Sequence, residues 1–336
     1  DLDNNAAMVG SLDPAWSSLV SLRRFHAAQT QIDGILPPSW ASMTSMNDFA
    51  VSSTQVGGVL PPSWSSMTGM ANFSAGYTQL SGVLPPSWSS MTGMSNFYVE
   101  QNPGLVGDLP ASYSAWAGVG TIWLGGNNHT GVLPASWDSM TSITRLHLHN
   151  NNFTGSLPAS WDSMTNLRQL SVQDNLLSGI FPPSWSSMTA ITHFDAGDNV
   201  AMSTTLPPAW SSWTNIVSFR ASNSGVNGTL PASYSAWSVV QYFTVGGNAG
   251  LNGPVPASYS SWSSLIEFLA SATQIDYSIA GAAAGWSSAT SVLLSGCAIS
   301  SLELDALIPD LVSAGVPAGG TLRVEGQSPP CLLYTS

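Results

Sequence analysis

The sequence predicts a solenoid of about twelve short repeats, each contributing one short strand, and two observations carry this prediction. First, a Leu-Pro-(Pro/Ala)-Ser-(Trp/Tyr) phrase returns every 24 or 25 residues. Second, apolar residues return at offsets 10, 13 and 15 from the start of the phrase, as in Ile143, Leu146 and Leu148. The apolar residues at offsets 13 and 15 are two positions apart, which is the alternation of a half-buried strand. The phrase begins at Leu36, Leu60, Leu84, Leu109, Leu133, Leu157, Phe181, Leu206, Leu230 and Val255, with degenerate copies at Leu12 and Ile279.

A small polar residue follows the strand at offset 18 in nearly every repeat. Buried carbonyl groups of stacked loops need hydrogen-bond partners, so we expect this column to form a polar ladder that bonds the backbone of neighbouring repeats. The column consists of Thr30, Thr54, Thr78, Asn102, Asn127, Asn151, Asn175, Asn199, Ser224, Asn248, Thr273 and Cys297.

The sizes of two large side chains compensate each other from repeat to repeat. Where offset 4 is Trp, offset 7 is usually Met, and where offset 4 is Tyr, offset 7 is Trp, as in Tyr113 with Trp116. Trp210 with Trp213 is the exception. Because packed cores tolerate volume-conserving exchange best, both offsets are expected to face one core layer. Most of the 14 tryptophans are therefore predicted to be scaffold rather than carbohydrate-binding rings.

Composition and motifs exclude several function classes. The 336 residues carry a net charge of -12, with six arginines and no lysine, so no basic surface for nucleic acid or anionic membranes is expected. No run of eighteen apolar residues is present, which predicts no membrane insertion within the chain. Motifs such as GxSxG and HExxH are absent as well. We expect no enzyme, no catalytic residue and no cofactor.

The candidate binding residues lie at offsets 12, 14 and 16, the exposed positions of each strand. Scarce charged and aromatic residues gather there, which favours recognition of a glycan or peptide. The alternative is that strand surfaces simply need polar residues that suit a β-sheet. Trp123, followed by Gly125 and Gly126, is expected to be exposed without a packing role. The predicted ligand-binding residues are Tyr98, Trp123, Arg145, His147, His149, Gln173, His193, Asp195 and Arg220.

A metal site among these residues is not expected. His147 and His149 point the same way along one strand, but residues at i and i+2 lie roughly 6.5 to 7 Å apart. His193 and Asp195 lie two strands away, at about 10 Å. Metal ligands must share a centre about 2 Å from each ligand atom.

The segment ITRLHLHNNNFTGSLPASWDSM, Ile143 to Met164, resembles the leucine-rich repeat, and it is closest to the plant-type subclass with its Gly-x-Leu-Pro turn. The Trp-Ser-Ser-Met wording is similar to trypanosomatid surface-antigen and proteophosphoglycan repeats. The resemblance covers about Leu2 to Ile299. It implies a right-handed curved superhelix with one parallel β-sheet on the concave face and irregular or 3-10 structure on the convex side. It also implies an extracellular or cell-surface setting.

The domain boundary is predicted near residue 301. Residues 1–301 form the repeats, of which the first is partial and lacks a cap, and residues 302–336 form a C-terminal cap and tail. Leu302 to Ala314 has apolar residues at helical spacing, and Thr321 to Val324 is a predicted final strand. A chain starting inside a repeat is expected to extend upstream or to be covered by another molecule.

Cysteines and sequons add two expectations. Cys297 and Cys331 flank the cap, so either a disulfide joins them or Cys297 is a buried free thiol of the polar ladder. Four N-x-Ser/Thr sequons predict glycosylation of a secreted protein. Two of them share one offset in consecutive repeats, and the first is placed on the concave face. The sequons are at Asn72, Asn128, Asn152 and Asn227.

Two functional hypotheses follow. The first is a structural or adhesive surface protein that associates end to end with other copies into filaments, because heterologous contacts propagate. The second is a receptor-like ectodomain that binds a protein or glycan ligand on its concave face. Neither hypothesis involves nucleic acid.

Overall fold

A computed structural model describes residues 1–317 and 319–324. The chain forms two compact units, Asp1–Leu170 and Ser171–Ser336, which are described separately.

In the first unit, one short strand of each repeat pairs in parallel with the same strand of the neighbouring repeats. The predicted strand of each repeat is therefore confirmed. A further strand, Gln169–Ser171, contains the division between the units. The strands of the first unit are Arg24–His26, Asp48–Ala50, Asn72–Ser74, Asn96–Tyr98, Thr121–Trp123 and Arg145–His147.

The second unit repeats this parallel pairing. Its strands are His193–Asp195, Ser218–Arg220, Tyr242–Thr244, Glu267–Leu269, Ser291–Leu293 and Thr321–Arg323.

Many repeats also have a second short strand after the ladder residue, which the sequence analysis did not predict. A glycine with positive φ lies within or just after many of these strands, such as Gly58 at 75° and Gly82 at 79°. The stretch is too short for alternation to reveal it. These strands are Val9–Ser11, Gln31–Asp33, Gly57–Val59, Gln79–Gly82, Gly104–Asp108 and Asn128–Thr130 in the first unit. In the second unit they are Ser178–Gly179, Ala201–Met202, Thr204–Thr205, Val226–Thr229, Gly250–Pro254 and Gln274–Asp276.

The Pro-Ser-Trp part of the phrase forms one turn of 3-10 helix. Where proline opens the turn, its fixed φ suits the first helical position. The turns of the first unit are Pro14–Ser18, Pro38–Ser42, Pro62–Ser66, Pro86–Ser90, Ala111–Ala115, Ala135–Ser139 and Ala159–Ser163. Those of the second unit are Pro183–Ser187, Pro208–Ser212, Ala232–Ala236 and Ala257–Ser261.

The large rings fill the core, as the volume exchange predicts. Twelve of the 14 tryptophans are fully buried. In a Trp/Met repeat the indole N–H reaches back one repeat, so Trp64 Nε1 donates to the Pro37 carbonyl at 2.9 Å. In a Tyr/Trp repeat the two rings stack, with 3.9 Å between the centroids of Tyr113 and Trp116. Hydrogen bonds such as that of Trp64 keep the polar N–H groups of the buried rings paired.

The polar ladder is buried throughout, and the predicted bonds to the backbone of neighbouring repeats are confirmed for its asparagines but not for threonines such as Thr54. Its asparagines link repeats: Asn151 Nδ2 donates to the carbonyl of Leu124 in the preceding repeat at 2.9 Å, and its Oδ1 accepts from His129 N at 3.0 Å. A threonine such as Thr54 donates to the carbonyl three residues earlier, within its own repeat. The asparagines therefore join neighbouring repeats through the backbone, as does Ser224, whose Oγ donates to the Ala196 carbonyl of the preceding repeat at 2.8 Å.

The C-terminal helix spans Ser301–Ala314. It starts with a capping box, in which Ser300 Oγ accepts from Glu303 N at 3.3 Å and Glu303 Oε2 accepts from Ser300 N at 2.6 Å. It ends at Gly315, whose φ of 71° is the left-handed conformation common after helices. The helix and the strand after it agree with the predicted C-terminal cap. None of the helices among the described residues is long and apolar enough to cross a bilayer.

Candidate functional site

The solvent side of the first strands, at offsets 12, 14 and 16, is here called the sheet face. In the first unit the strand register sets Trp123 beside Tyr98 on one side and beside His147 on the other. The Trp123 and Tyr98 ring centroids are 5.0 Å apart at 67°, and those of Trp123 and His147 are 5.2 Å apart at 4°. The three side chains therefore form one aromatic row across three repeats.

The expectation that Trp123 lies exposed without a packing role is wrong. Its ring is half-buried between Tyr98 and His147. The error arises because the offset pattern gives the direction of a side chain but not what its neighbours cover.

A cavity of about 190 Å³ opens beside this row, and two glycines make room for side chains that line it. A methyl group on Gly76 would lie 2.5 Å from Oε1 of Glu100, and one on Gly125 would overlap the ring of His149. Both glycines lie at offset 16, where they leave room for the side chain of the next repeat to lie along the backbone. The cavity is lined by Tyr77, Glu100, Gln101, Trp123, Gly125, His147 and His149.

Two polar atoms at this cavity lack hydrogen-bond partners among the described residues. They are Oε2 of Glu100 and Nε1 of Trp123, and both atoms are buried. Burial raises the pKa of the Glu100 carboxyl, and a backbone hydrogen bond opposes this effect in part. Such atoms carry a desolvation cost that a bound ligand can recover.

The side chain of His147 lines the cavity and is uncharged near neutral pH. Burial, together with repulsion from His149 and Arg145, lowers its pKa to about 4, although a hydrogen bond that the imidazole donates to the Gln169 side chain opposes this effect. The imidazole therefore brings no positive charge to the cavity near neutral pH.

Four lining residues were not among the predicted ligand-binding residues: Tyr77, Glu100, Gln101 and Gly125. Tyr77 and Gln101 lie at offset 17, where φ is 55° in each, a left-handed conformation that turns their side chains away from strand alternation. One signal in the sequence could have found Glu100. Glu100 is a large residue at offset 16, where the preceding and the following repeat have glycines, Gly76 and Gly125.

Of the predicted residues of the first unit, Tyr98, Trp123, His147 and His149 come together at the cavity or the row beside it. Arg145 is exposed on the same strand as His147 and is not part of the cavity lining.

In the second unit, Asp195 pairs in register with Arg220, and Arg220 lies 5.9 Å from the ring centre of Tyr242. His193 is exposed on the same strand as Asp195, and burial and Arg220 lower its pKa. The Oε1 atom of Gln173 is buried without a hydrogen-bond partner among the described residues. This group is polar but has no aromatic row comparable to that of the first unit.

Asp195→Asn is expected to stabilise the chain at neutral pH. Burial raises the pKa of Asp195 to about 6, against a hydrogen bond from the Gly197 N–H. The folded state therefore favours the protonated acid, and this favourable contribution is lost as pH rises from about 4 through 6. Asparagine resembles the protonated form, so urea unfolding should show a gain of about 1–2 kcal/mol at pH 7.5 and little change at pH 4.

The matched control is Asp305→Asn, at an exposed position of the C-terminal helix. It should change stability little at either pH. An equal effect of Asp195→Asn at both pH values would show that burial of the carboxylate is not the cause.

Within the described residues, Asp1, Asp3 and His26 are the set of potential metal ligands close enough to share an ion. His26 Nε2 also lies 3.1 Å from Oδ1 of Asp48 on the neighbouring strand. Among the described residues, His147, His149 and His193 are not part of such a set.

The sequon asparagines differ in exposure. Asn128 and Asn152 are exposed beside the polar ladder, and Asn227 is partly exposed. Asn72 lies on the sheet face, where its Oδ1 accepts a hydrogen bond from Asn96 Nδ2 at 2.8 Å. Glycosylation at the four positions stays a prediction.

Cys297 has no disulfide partner among the described residues, and its Sγ in the polar ladder donates to the Ala270 carbonyl at 3.1 Å. Burial raises the pKa of this thiol. Cys331 lies outside the described residues, so the disulfide between the two cysteines stays a prediction.

Comparison with known proteins identifies the repeat. Residues 142–164 and 166–188 match the Leucine Rich Repeat family model. No curated protein sequence matches the chain significantly.

Solved structures match over most of the chain. A TDR receptor structure is 23% identical with a TM-score of 0.84, covering 92% of this chain and 52% of that one. The Arabidopsis receptor kinase HAESA, in complex with the peptide hormone IDA and the co-receptor SERK1, is 21% identical with a TM-score of 0.82, covering 89% and 50%. A Leptospira interrogans leucine-rich-repeat protein is 15% identical with a TM-score of 0.73, covering 91% and 75%.

The chain spans about half the length of the two plant receptor structures. At these identities the likeness concerns the fold. The repeat match, the stacked parallel strands and the structural neighbours agree: the chain has the fold of a leucine-rich-repeat solenoid.

Proposed function

We propose that this chain is an extracellular recognition module that binds a peptide or glycan ligand on its sheet face. The cavity beside Trp123 carries the proposal, because it combines aromatic rings with buried polar atoms that lack partners among the described residues. Recognition sites typically consist of such apolar walls with a few oriented polar groups. The peptide-bound plant receptors among the structural neighbours and the exposed sequons support the extracellular setting.

The proposal is tested by selecting ligands from a randomised peptide library and a glycan array, then measuring their affinity for Trp123→Ala. Removing the indole should abolish binding of a sheet-face ligand, because Trp123 lies in the centre of the aromatic row. The variant also loses packing against Tyr98 and His147, so binding is measured well below its melting temperature.

Val59→Ala is the control, since Val59 is 57% exposed in a second strand outside the sheet face. Its ligand affinity should equal that of the unmodified chain. A selected ligand that binds Trp123→Ala with full affinity, or the absence of any ligand in both selections, would contradict the proposal.

A structural or adhesive role with end-to-end association stays a prediction, as does the narrower kinship with trypanosomatid surface repeats. No contact among the described residues favours either over ligand recognition. Sedimentation velocity over a concentration series separates filaments from a monomeric receptor-like module.

A further inference from the structure

Resting on the proposed function, we infer that the cavity lined by Glu100 and Trp123 takes a cationic side chain, a guanidinium or an ammonium group, from a peptide ligand. Four features of the cavity support this ligand class.

The first feature is a carboxyl group without a cation. Glu100 lies along Gly76, and its buried Oε2 has no hydrogen-bond partner among the described residues. The ion pairs recorded in the described part of the chain lie elsewhere, around Asp48 and His26. A buried carboxylate is stabilised by a hydrogen-bonded opposite charge.

The second feature is the charge of the surrounding groups. His147 is neutral at physiological pH, Arg145 is close enough to repel it but is exposed to solvent outside the cavity lining, and the chain as a whole has a net charge of -12. A cationic peptide is therefore attracted over long range, whereas an anionic ligand would meet Glu100 in the cavity.

The third feature is aromatic. Tyr77 and Trp123 line the cavity, and Tyr98 packs on Trp123. Aromatic rings attract a guanidinium or ammonium group through their electron-rich faces. The ring of Trp123 is flanked by Tyr98 and by the parallel ring of His147, so Tyr77, which is 59% exposed, offers the accessible aromatic face for the cation. The Glu100 carboxyl, rather than the rings, favours a cation over a glycan.

The fourth feature distinguishes a peptide from a free amine. Nε1 of Trp123 is a buried donor that lacks an acceptor among the described residues, and a cationic group offers donors only. A peptide carbonyl next to the cationic side chain supplies the missing acceptor. The cavity volume of about 190 Å³ is small for a whole ligand, which typically fills 300 Å³ or more, so one side chain fits while the peptide backbone stays on the sheet face.

The test uses three probes and follows the indole N–H resonance of Trp123, which is assigned through the Trp123→Phe variant. The probes are Nα-acetyl-arginine N-methylamide, its neutral citrulline counterpart and methyl β-glucopyranoside. The arginine probe should shift this resonance in a saturable way. The citrulline probe should bind at least tenfold more weakly, and the glucoside should cause no saturable shift.

Two substitutions locate the charge. Glu100→Gln keeps the shape of the side chain and should lower the affinity for the arginine probe at least tenfold. Asp138→Asn also removes one carboxylate, from the 3-10 turn Ala135–Ser139 outside the sheet face, and should change the affinity less than twofold. Gly76→Ala retains the Glu100 carboxylate but displaces it, so it should weaken binding as well.

The alternative outcomes separate this inference from the proposed function. Equal binding of the arginine and citrulline probes, or full affinity in Glu100→Gln, would overturn the cationic assignment. So would a saturable shift by the glucoside alone, which would leave sheet-face recognition standing with a glycan as its ligand. If none of the probes shifts the resonance, the cationic assignment is also wrong. The proposed function would still be supported if ligands from the selections no longer bind Trp123→Ala.

Discussion

Replacing His129 with leucine is expected to stabilise the chain and to reduce its sensitivity to mild acid. His129 is completely buried in the second strand Asn128–Thr130. Other repeats carry buried apolar residues at the corresponding offset, including Leu80, Phe153 and Leu177. The imidazole Nδ1 lies 3.2 Å from the Gly107 carbonyl, whereas Nε2 has no hydrogen-bond partner among the described residues.

Burial lowers the pKa of His129 to about 4, against hydrogen bonds to the backbone of Gly107 and Val106. The ordinary value is about 6.5, so the unfolded chain takes up the proton first. The contribution of His129 to stability is complete above pH 6.5 and is lost as pH falls toward 4, by about 3 kcal/mol in total. His147 acts in the same direction, since its pKa is also lowered to about 4.

Urea unfolding of the unmodified chain and of His129→Leu checks this prediction. The variant should be more stable by about 1 kcal/mol at pH 7.5, because an unsatisfied buried nitrogen is removed. At pH 5 the difference should grow to about 3 kcal/mol. The reciprocal variant Leu80→His should acquire a new acid sensitivity at the same offset of another repeat. Parallel stability curves of His129→Leu and the unmodified chain between pH 7.5 and 5 would contradict the argument.

The fold was predictable because each structural requirement is repeated many times along the chain. A strand of three residues is a weak signal alone, but its alternation recurs at a fixed distance from every Leu-Pro phrase. The polar ladder was predicted in the same way. So was the shared core layer, in which some repeats have Trp with Met and others have Tyr with Trp, as in Tyr113 with Trp116. The second strands were missed because their few residues end at a glycine with positive φ.

The site was predictable only in part, because it depends on departures from the repeat. Offsets gave the direction of Trp123 and His147 but not their stacking at 5.2 Å. The position of Glu100 depends on a missing side chain at Gly76, and that of Gln101 on a left-handed backbone conformation. The consensus of the repeats does not contain such details. Functional residues are therefore best sought at offsets where one repeat has a different residue type from its neighbours.

Asn102→Ala is expected to be among the most destabilising substitutions in the first unit. Its side-chain Nδ2 donates to the carbonyls of Ala75, Val99 and Glu100 at 2.8, 3.1 and 3.2 Å. Its Oδ1 accepts from the backbone N–H of Leu80 at 3.0 Å. Alanine would leave these buried groups without partners, and each such group costs about 1–3 kcal/mol.

Because relaxation recovers part of this cost, we expect a loss of about 3–4 kcal/mol in the free energy of unfolding. Asn102→Thr should lose less, since a threonine of the ladder keeps the bond within its own repeat, as Thr54 does to Val51. Asn166→Ala is the control, because Asn166 is exposed and makes one hydrogen bond, to the Thr141 carbonyl. It should change stability by less than about 0.5 kcal/mol.

The same substitution also connects the ladder to the candidate site. Asn102 holds the Glu100 carbonyl in place, and the Glu100 side chain lines the cavity beside Trp123. Asn102→Ala should therefore weaken binding of the arginine probe even where the chain is still folded, whereas Asn166→Ala should not. If Asn102→Ala costs no more stability than Asn166→Ala, the ladder does not join the repeats in the way these hydrogen bonds require.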